Sequence, residues 1–316
     1  MQYVGIDLGG TGIAAGVVNE AHEIIGRAAL KTLPERPFEA IVRDMAEAVR
    51  TALARAGLAE GDVAAIGIGV PGAVDPAAGT VYLSSNLGWH DVDLRAEMGR
   101  YFSLPVRLDN DANCAALAES VLGASRGTSS SILITIGTGI GAGMVVNGRV
   151  WSGAFGMAGE IGHTTLVPDG VPCACGRSGC VECYCSATAL IRMARQAWMT
   201  FRPGAGYADQ AGGPERLTAK DVIDAARAGD AQAERVFRAY ARYVAIMCDN
   251  AFNFLDPEIV VLGGGVSKAG PFLLDTVRGY LTQSEMGEAR PPYRLELARL
   301  DNDAGLIGAA LVAREV

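Results

Sequence analysis

Basic charge is in short supply in this chain: 27 Lys and Arg stand against 35 Asp and Glu, for a net charge of -8. Nucleic acid and anionic membrane surfaces are recognised through clustered Lys and Arg, so neither is expected as a partner. Long apolar runs are missing too, and no uninterrupted stretch reaches the roughly 20 residues that span a bilayer. The first strand-like segment begins within a few residues of Met1, which leaves no room for a signal peptide and makes a cytoplasmic protein the expectation. Two phosphate-binding signatures are also absent. There is no G-x-x-x-x-G-K-[ST] loop and no strand-to-helix G-x-G-x-x-G, which argues against Walker-type and dinucleotide-type mechanisms. Aromatics are sparse at 6%, whereas half of the residues are hydrophobic and glycine occurs 41 times. That balance fits a soluble α/β enzyme with many tight turns. At 316 residues the chain is large for one core and suited to two domains.

Histidine occurs three times and cysteine seven, yet His163, Cys173, Cys175 and Cys180 fall in one stretch bounded by Glu160 and Glu182. An imidazole and three thiolates suit tetrahedral Zn2+, and the segment from Cys173 to Cys180 is a glycine-containing turn short enough to wrap one ion. Buried unliganded thiols are the competing reading, and disulfides a weaker one. Clustered cysteines in a reducing compartment favour metal. Four protein ligands would close the coordination sphere, so the ion would be structural, and Glu160 and Glu182 would flank a polar ligand pocket.

Along the chain, Tyr3–Ile6 reads as a buried strand, Asp7-Leu8-Gly9-Gly10-Thr11-Gly12 as a turn and Ile13–Val18 as a returning strand. Ile41, Met45, Val49 and Leu53 repeat every four residues, which predicts an amphipathic helix over 38–56. A strand over Val63–Val70 leads through Pro71-Gly72 into a glycine-rich loop carrying Asn86-Leu87-Gly88-Trp89. A short strand near Val106–Leu108 follows, and Asp109-Asn110-Asp111-Ala112-Asn113 opens a helix, with Asp109 or Asp111 as its cap. The pattern then restarts: strand Ser131–Ile136, turn Gly137-Thr138-Gly139-Ile140-Gly141 and strand Ala142–Val146, so the halves read as an internal duplication. Residues 203–214, rich in Gly, Pro and Ala, predict a mobile surface loop. A strand over Glu258–Leu262 ends in Gly263-Gly264-Gly265, and Asp303–Ala313 reads as a helix packing back on the first domain. Glycine and threonine turns let backbone N–H groups approach phosphate oxygens, although a ligand-free hairpin is the alternative for each turn alone. Asp7 could hold Mg2+ through water or could simply cap its turn.

Taken together, Asp7-Leu8-Gly9-Gly10-Thr11, Asn110-Asp111-Ala112-Asn113, Gly137-Thr138-Gly139-Ile140-Gly141 and the His163/Cys173/Cys175/Cys180 cluster resemble the ROK family of sugar kinases and repressors across essentially the whole chain. The resemblance implies an α/β, actin/hexokinase-like (ribonuclease H-like) fold of two domains with an interdomain cleft. The smaller would comprise residues 1–110 with 302–316, and the larger, 111–301, would carry the zinc segment. It implies an ATP-dependent hexokinase, with glucokinase the leading form, that uses ATP, Mg2+ and a structural Zn2+. Asp111 would be the catalytic base. Gly72, Asn86, Asn110, Glu160, His163 and Glu182 would meet the hexose. Asp7, Gly9, Gly10, Thr11, Gly137, Thr138, Gly139, Gly264 and Gly265 would cradle the nucleotide. A homodimer is implied as the family's common state. Gly12 departs from the Lys or Asn that many family kinases place there, which removes a side-chain donor near the phosphates. Cys183 and Cys185 fall where the family has small residues and read as small buried side chains, with metal ligation or oxidation as the other reading; Cys114 and Cys248 read as core. Two alternatives stay open. One is a ROK kinase for N-acetylglucosamine, N-acetylmannosamine, mannose, allose or fructose, and the other a sugar-sensing ROK regulator.

Overall fold

The computed structural model describes residues 1–201, 206–281, 292 and 294–314. The chain divides into two compact units: Met1–Ser129 with Gly143–Gly159 and Arg299–Val316, and Ser130–Ala142 with Glu160–Ala298. The first unit is built on a sheet in the order β3-β2-β1-β4-β8, formed by β1 (Gln2–Leu8), β2 (Gly12–Val18), β3 (Ile24–Lys31), β4 (Val63–Val70) and β8 (Val106–Asn110). The β1, β2 and β3 strands form an antiparallel meander, and β4 and β8 run parallel to β1. A second sheet has the matching order β11-β10-β9-β12-β13, from β9 (Ser130–Ile136), β10 (Ile140–Val146), β11 (Arg149–Val150), β12 (Ile259–Gly263) and β13 (Leu295–Leu297). There too β12 pairs in parallel with β9 and β13. The repeated order agrees with the duplicated sequence pattern.

Helix α1 (Phe38–Ala56) forms where the four-residue apolar spacing predicts it and buries Ile41, Met45, Val49 and Leu53 against the first sheet. Gly57 ends it in the left-handed region at φ 70°, where its N–H reaches the Ala54 carbonyl, a conformation that costs glycine little. Burial of each such side chain contributes about 1.5–3 kcal/mol. The stretch read as a glycine-rich loop instead contains a small antiparallel sheet of β5 (Ala73–Asp75), β6 (Thr80–Ser84) and β7 (Trp89–Asp93). Its strands are short and interrupted by turn residues, so no alternation marks them. Trp89 is buried and meets Phe38 edge-on, with ring centroids 4.9 Å apart.

Short α2 (Leu94–Met98) precedes β8, and α3 (Asp111–Val121) follows it directly. The second unit adds α4 (Glu182–Cys185), α5 (Ala187–Phe201), α6 (Tyr207–Gln210), α7 (Ala219–Arg227), α8 (Ala231–Leu255) and α9 (Pro271–Arg278). Of the expected mobile loop, residues 203–205 lie outside the described residues. The remainder carries α6, with Tyr207 buried, and a tight turn over Pro214–Arg216. The last helix, α10 (Ala304–Arg314), is apolar on most of its surface and packs on the first unit. A methyl group on Gly67 would overlap the Ala309 carbonyl, and one on Gly308 the Cys114 carbonyl. This contact explains why α3 groups with the first unit, whereas the sequence reading began the second domain at residue 111. Among the described residues, no helix is long and apolar enough to cross a membrane.

Candidate active site

In the first unit the end of β1 delivers Asp7 and the turn that follows it. Gly9 N–H donates to the Gly12 carbonyl at 2.8 Å, and Thr32 Oγ1 donates to the Gly9 carbonyl at 2.6 Å. The turn is therefore held from both sides while Thr11 stays exposed. Asn86 is also exposed and lies beside Gly10, where an added methyl carbon would be 3.4 Å from the Asn86 Cβ. Asp7 rests against the first turn of α10: a methyl on Gly305 would sit 2.6 Å from its Oδ2. Burial first, and the neighbouring Asp111 carboxylate second, push the Asp7 carboxyl up to about 6 from its ordinary 3.8. A pair of carboxylates that resist joint ionisation is a site suited to a divalent cation.

Asn110, and neither of its acidic neighbours, caps α3. Its Oδ1 accepts from Ala112 N–H at 2.8 Å and Asn113 N–H at 3.3 Å, and its Nδ2 donates to the Gly72 carbonyl at 3.0 Å. Asn110 thus ties Gly72 to the start of the helix. Asp109 is buried, and its Oδ1 accepts from Asn110 N–H and from Asn113 Nδ2, both at 2.7 Å. These bonds fix the backbone that presents half-buried Asp111, the first residue of α3.

In the second unit the Cys-rich segment forms a small hairpin. Cys173 N–H donates to the Arg177 carbonyl at 2.8 Å and Gly176 N–H to the Cys173 carbonyl at 3.1 Å, with backbone bridges at Thr165–Cys180 and Pro172–Ser178. The ligand atoms of His163, Cys173, Cys175 and Cys180 all lie within 4.8 Å of one another. Cys175 Sγ is 3.6 Å from Cys180 Sγ, and Cys173 Sγ is 3.7 Å from His163 Nδ1. A tetrahedral ion with bonds of about 2.0–2.3 Å to nitrogen and sulfur has ligand edges of about 3.5–3.8 Å, which these two pairs match, and the donor set suits one zinc ion. The Arg177 backbone N–H foremost, with its guanidinium next, pulls the Cys175 thiol down to about 6, and burial pushes Cys180 up to about 12. With Nδ1 facing the thiols, His163 turns Nε2 toward Glu160, whose Oε2 is 3.9 Å away.

Glu182 does something the sequence did not suggest. Its Oε2 accepts from Ile140 N–H at 2.9 Å, and a methyl on Gly139 would overlap that oxygen. The residue expected at the hexose therefore also holds the Gly137–Gly139 turn. The carbonyls of that turn are tied to the start of α5, Gly137 O by Ala187 N–H and Thr138 O by Thr188 Oγ1, each at 2.8 Å. Gly264, at φ 81°, crosses the end of β9, where an added methyl would come within 2.6 Å of the Ile136 carbonyl. The two expected nucleotide turns of this unit are thus neighbours. Sequence reasoning missed Gly305, which makes room for Asp7. An isolated glycine inside a helical pattern was its only signal.

The chain matches the ROK family over residues 3–316. It is 38% identical to a glucokinase of Halalkalibacterium halodurans over 99% of this chain and 95% of that one, and 36% identical to a glucokinase of Thermotoga maritima over 100% and 98%. Its structure is similar to that of a ROK family glucokinase from Streptomyces griseus in complex with glucose and AMPPNP, with a TM-score of 0.86, 37% identity and complete coverage of both chains. The architecture is accordingly the actin-like, two-domain α/β fold of the ROK hexokinases. On its full-length match and the motifs that the fold assembles, the chain belongs to the ROK family.

Proposed function

We propose that this protein is an ATP-dependent glucokinase, which transfers the terminal phosphoryl group of ATP to glucose to give glucose 6-phosphate and ADP. The observation that carries this reading is the full-length similarity to glucokinases, including one solved with glucose and an ATP analogue. The chemistry of the residues agrees with it. Phosphoryl transfer asks the protein mainly to position the reactants and neutralise charge. In this reading Asp111 accepts the proton of the attacking sugar hydroxyl. Asn110 keeps it in place, and the turns at Gly9–Thr11, Gly137–Gly139 and Gly264–Gly265 offer backbone N–H groups to the phosphates. Asp7, with its raised pKa and its acidic neighbour, fits Mg2+, which supplies positive charge to the phosphate oxygens when bound.

The sugar is assigned to Gly72, Asn86, Asn110, Glu160 and His163, with Glu182 holding the adjoining turn. His163, Cys173, Cys175 and Cys180 would hold Zn2+, which would fix the orientation of the His163 ring and so the way it presents Nε2 beside Glu160. A cytoplasmic location and a homodimer belong to the same reading, and light scattering tests the latter. The deciding experiment is a coupled kinase assay across hexoses with Mg-ATP and alternative phosphoryl donors. Glucose with ATP should give the highest kcat/KM, and Asp111→Ala should lose about 10²–10⁴ in kcat yet still bind glucose. Turnover of another hexose in preference would replace the substrate. Absence of any sugar phosphate would refute the kinase reading.

A further inference from the structure

Glu119 is fully buried near the C-terminal end of α3, the helix that begins with Asp111, and the chemistry proposed above makes no use of it. Both of its carboxyl oxygens accept from backbone N–H groups. Oε2 accepts from Ala124 N–H at 2.7 Å, and Oε1 from Arg299 N–H and Leu300 N–H, each at 2.8 Å. Hydrogen bonds to a carboxylate are among the stronger ones, so the side chain is a firm anchor. Gly123 leaves room for it, since a methyl there would lie 1.9 Å from Oε2. The segments joined in this way are remote in sequence: Ala124 follows α3, whereas Arg299 and Leu300 precede α10.

From Leu300 the chain makes one turn, in which Asp303 N–H donates to the Leu300 carbonyl at 2.9 Å, and then enters α10 at Ala304. Gly305 comes next and has no room for a methyl beside Asp7 Oδ2. Farther along, α10 meets α3 where Gly308 abuts the Cys114 carbonyl. Packing therefore holds the middle of α10 to α3, and Glu119 holds the chain just ahead of its first turn. Arg27 also pairs with Asp303, but both side chains are open to water, and such a pair holds weakly.

We infer that Glu119 is a positioning residue for Asp7: it clamps the end of α3 to the segment entering α10 and thereby sets where the first turn of α10 meets the Asp7 carboxylate. Loosening the clamp lets that turn shift, and a displacement of about 1 Å at a reacting site is enough to cost turnover. Gly72 and Asn110 are tied to each other by their own bond, so glucose affinity stays. This rests on the assignment of Mg2+ to Asp7 proposed above.

The test compares Glu119→Gln, which sets an amide NH2 against donating N–H groups, with Gly123→Ala, which pushes the carboxylate aside without changing it. Electron paramagnetic resonance measures Mn2+ binding in the presence of a non-hydrolysable ATP analogue. Calorimetry gives the glucose affinity and the fraction of sugar-competent protein, to which turnover is normalised. In both variants the Kd for Mn2+ and the half-saturating Mg2+ concentration should rise about tenfold and kcat should fall about tenfold, with the glucose Kd within about twofold of the parent. A lower melting temperature with Mn2+ affinity and normalised kcat unchanged would overturn the inference and leave Glu119 a purely structural residue. So would a loss confined to glucose affinity. A parent that phosphorylates glucose yet binds Mn2+ no more tightly than its Asp7→Asn variant would overturn the metal assignment and this inference together, while the kinase reading stands. Because the Mn2+ measurement needs no turnover, it reports on Glu119 independently of the sugar-phosphorylation assay.

Discussion

If Asp7 holds Mg2+ as proposed, its burial sets function against stability, and Asp7→Asn measures the conflict. The native carboxyl is raised from 3.8 to about 6, by burial first and by Asp111 second. A shift of about two units, at 1.36 kcal/mol per unit, corresponds to about 3 kcal/mol by which ionised Asp7 disfavours the fold. The carboxylate keeps some contact with solvent, so about 1–3 kcal/mol is the expected range. The sign follows from proton binding. Between pH 3.8 and about 6 the unfolded chain has released the proton that the native state retains, so native stability falls as pH rises and levels off above the folded pKa. Asn carries no such charge. Denaturant unfolding of both proteins without ligand should show the variant more stable by about 1–3 kcal/mol at pH 7, with the advantage shrinking toward nothing near pH 4. Turnover should fall about ten- to a hundredfold, because the carboxylate assigned to Mg2+ is gone. A variant less stable at pH 7, or one whose advantage does not change with pH, would refute the account of Asp7.

Three further outcomes follow from the same geometry. In the parent enzyme, kcat/KM for Mg-ATP should decline as pH falls through about 6, the value to which Asp7 is raised, and a profile flat to pH 5 would count against Asp7 as a cation ligand. Glu182→Gln weakens a charge-assisted bond to Ile140 N–H worth about 1.5–3 kcal/mol, so KM for ATP should rise about tenfold; a change confined to the sugar KM would show that Glu182 does not act on the nucleotide turn. Chelation of zinc should lower both the melting temperature and glucose affinity, and if calorimetry finds neither altered, the metal does not brace the pocket.

The features legible in the sequence were those written in local spacing. Ile41, Met45, Val49 and Leu53 predict α1 because helical period and burial coincide, and the His163/Cys173/Cys175/Cys180 cluster is visible because three thiols and an imidazole rarely crowd so closely. The short strands β5, β6 and β7 were not legible, since each is too brief for alternation to show and Trp89 looks like a loop aromatic until Phe38 meets it. The cap of α3 was misplaced among three adjacent residues that cap comparably well; only the hydrogen bonds single out Asn110. Glu182 and Ile140 are 42 residues apart, and Gly305 meets Asp7 from the far end of the chain. Such pairs are products of tertiary packing, and no local pattern announces them.

The close approach of α10 to Gly67 and Cys114 bears on the order in which the protein can be made. Synthesis proceeds from the N-terminus, yet the first unit takes α10 from residues translated after the second unit, each segment of which lies between segments of the first. The nascent first sheet must therefore wait with one face unfilled until Leu306 to Leu311 emerge, and the later-made unit can close first.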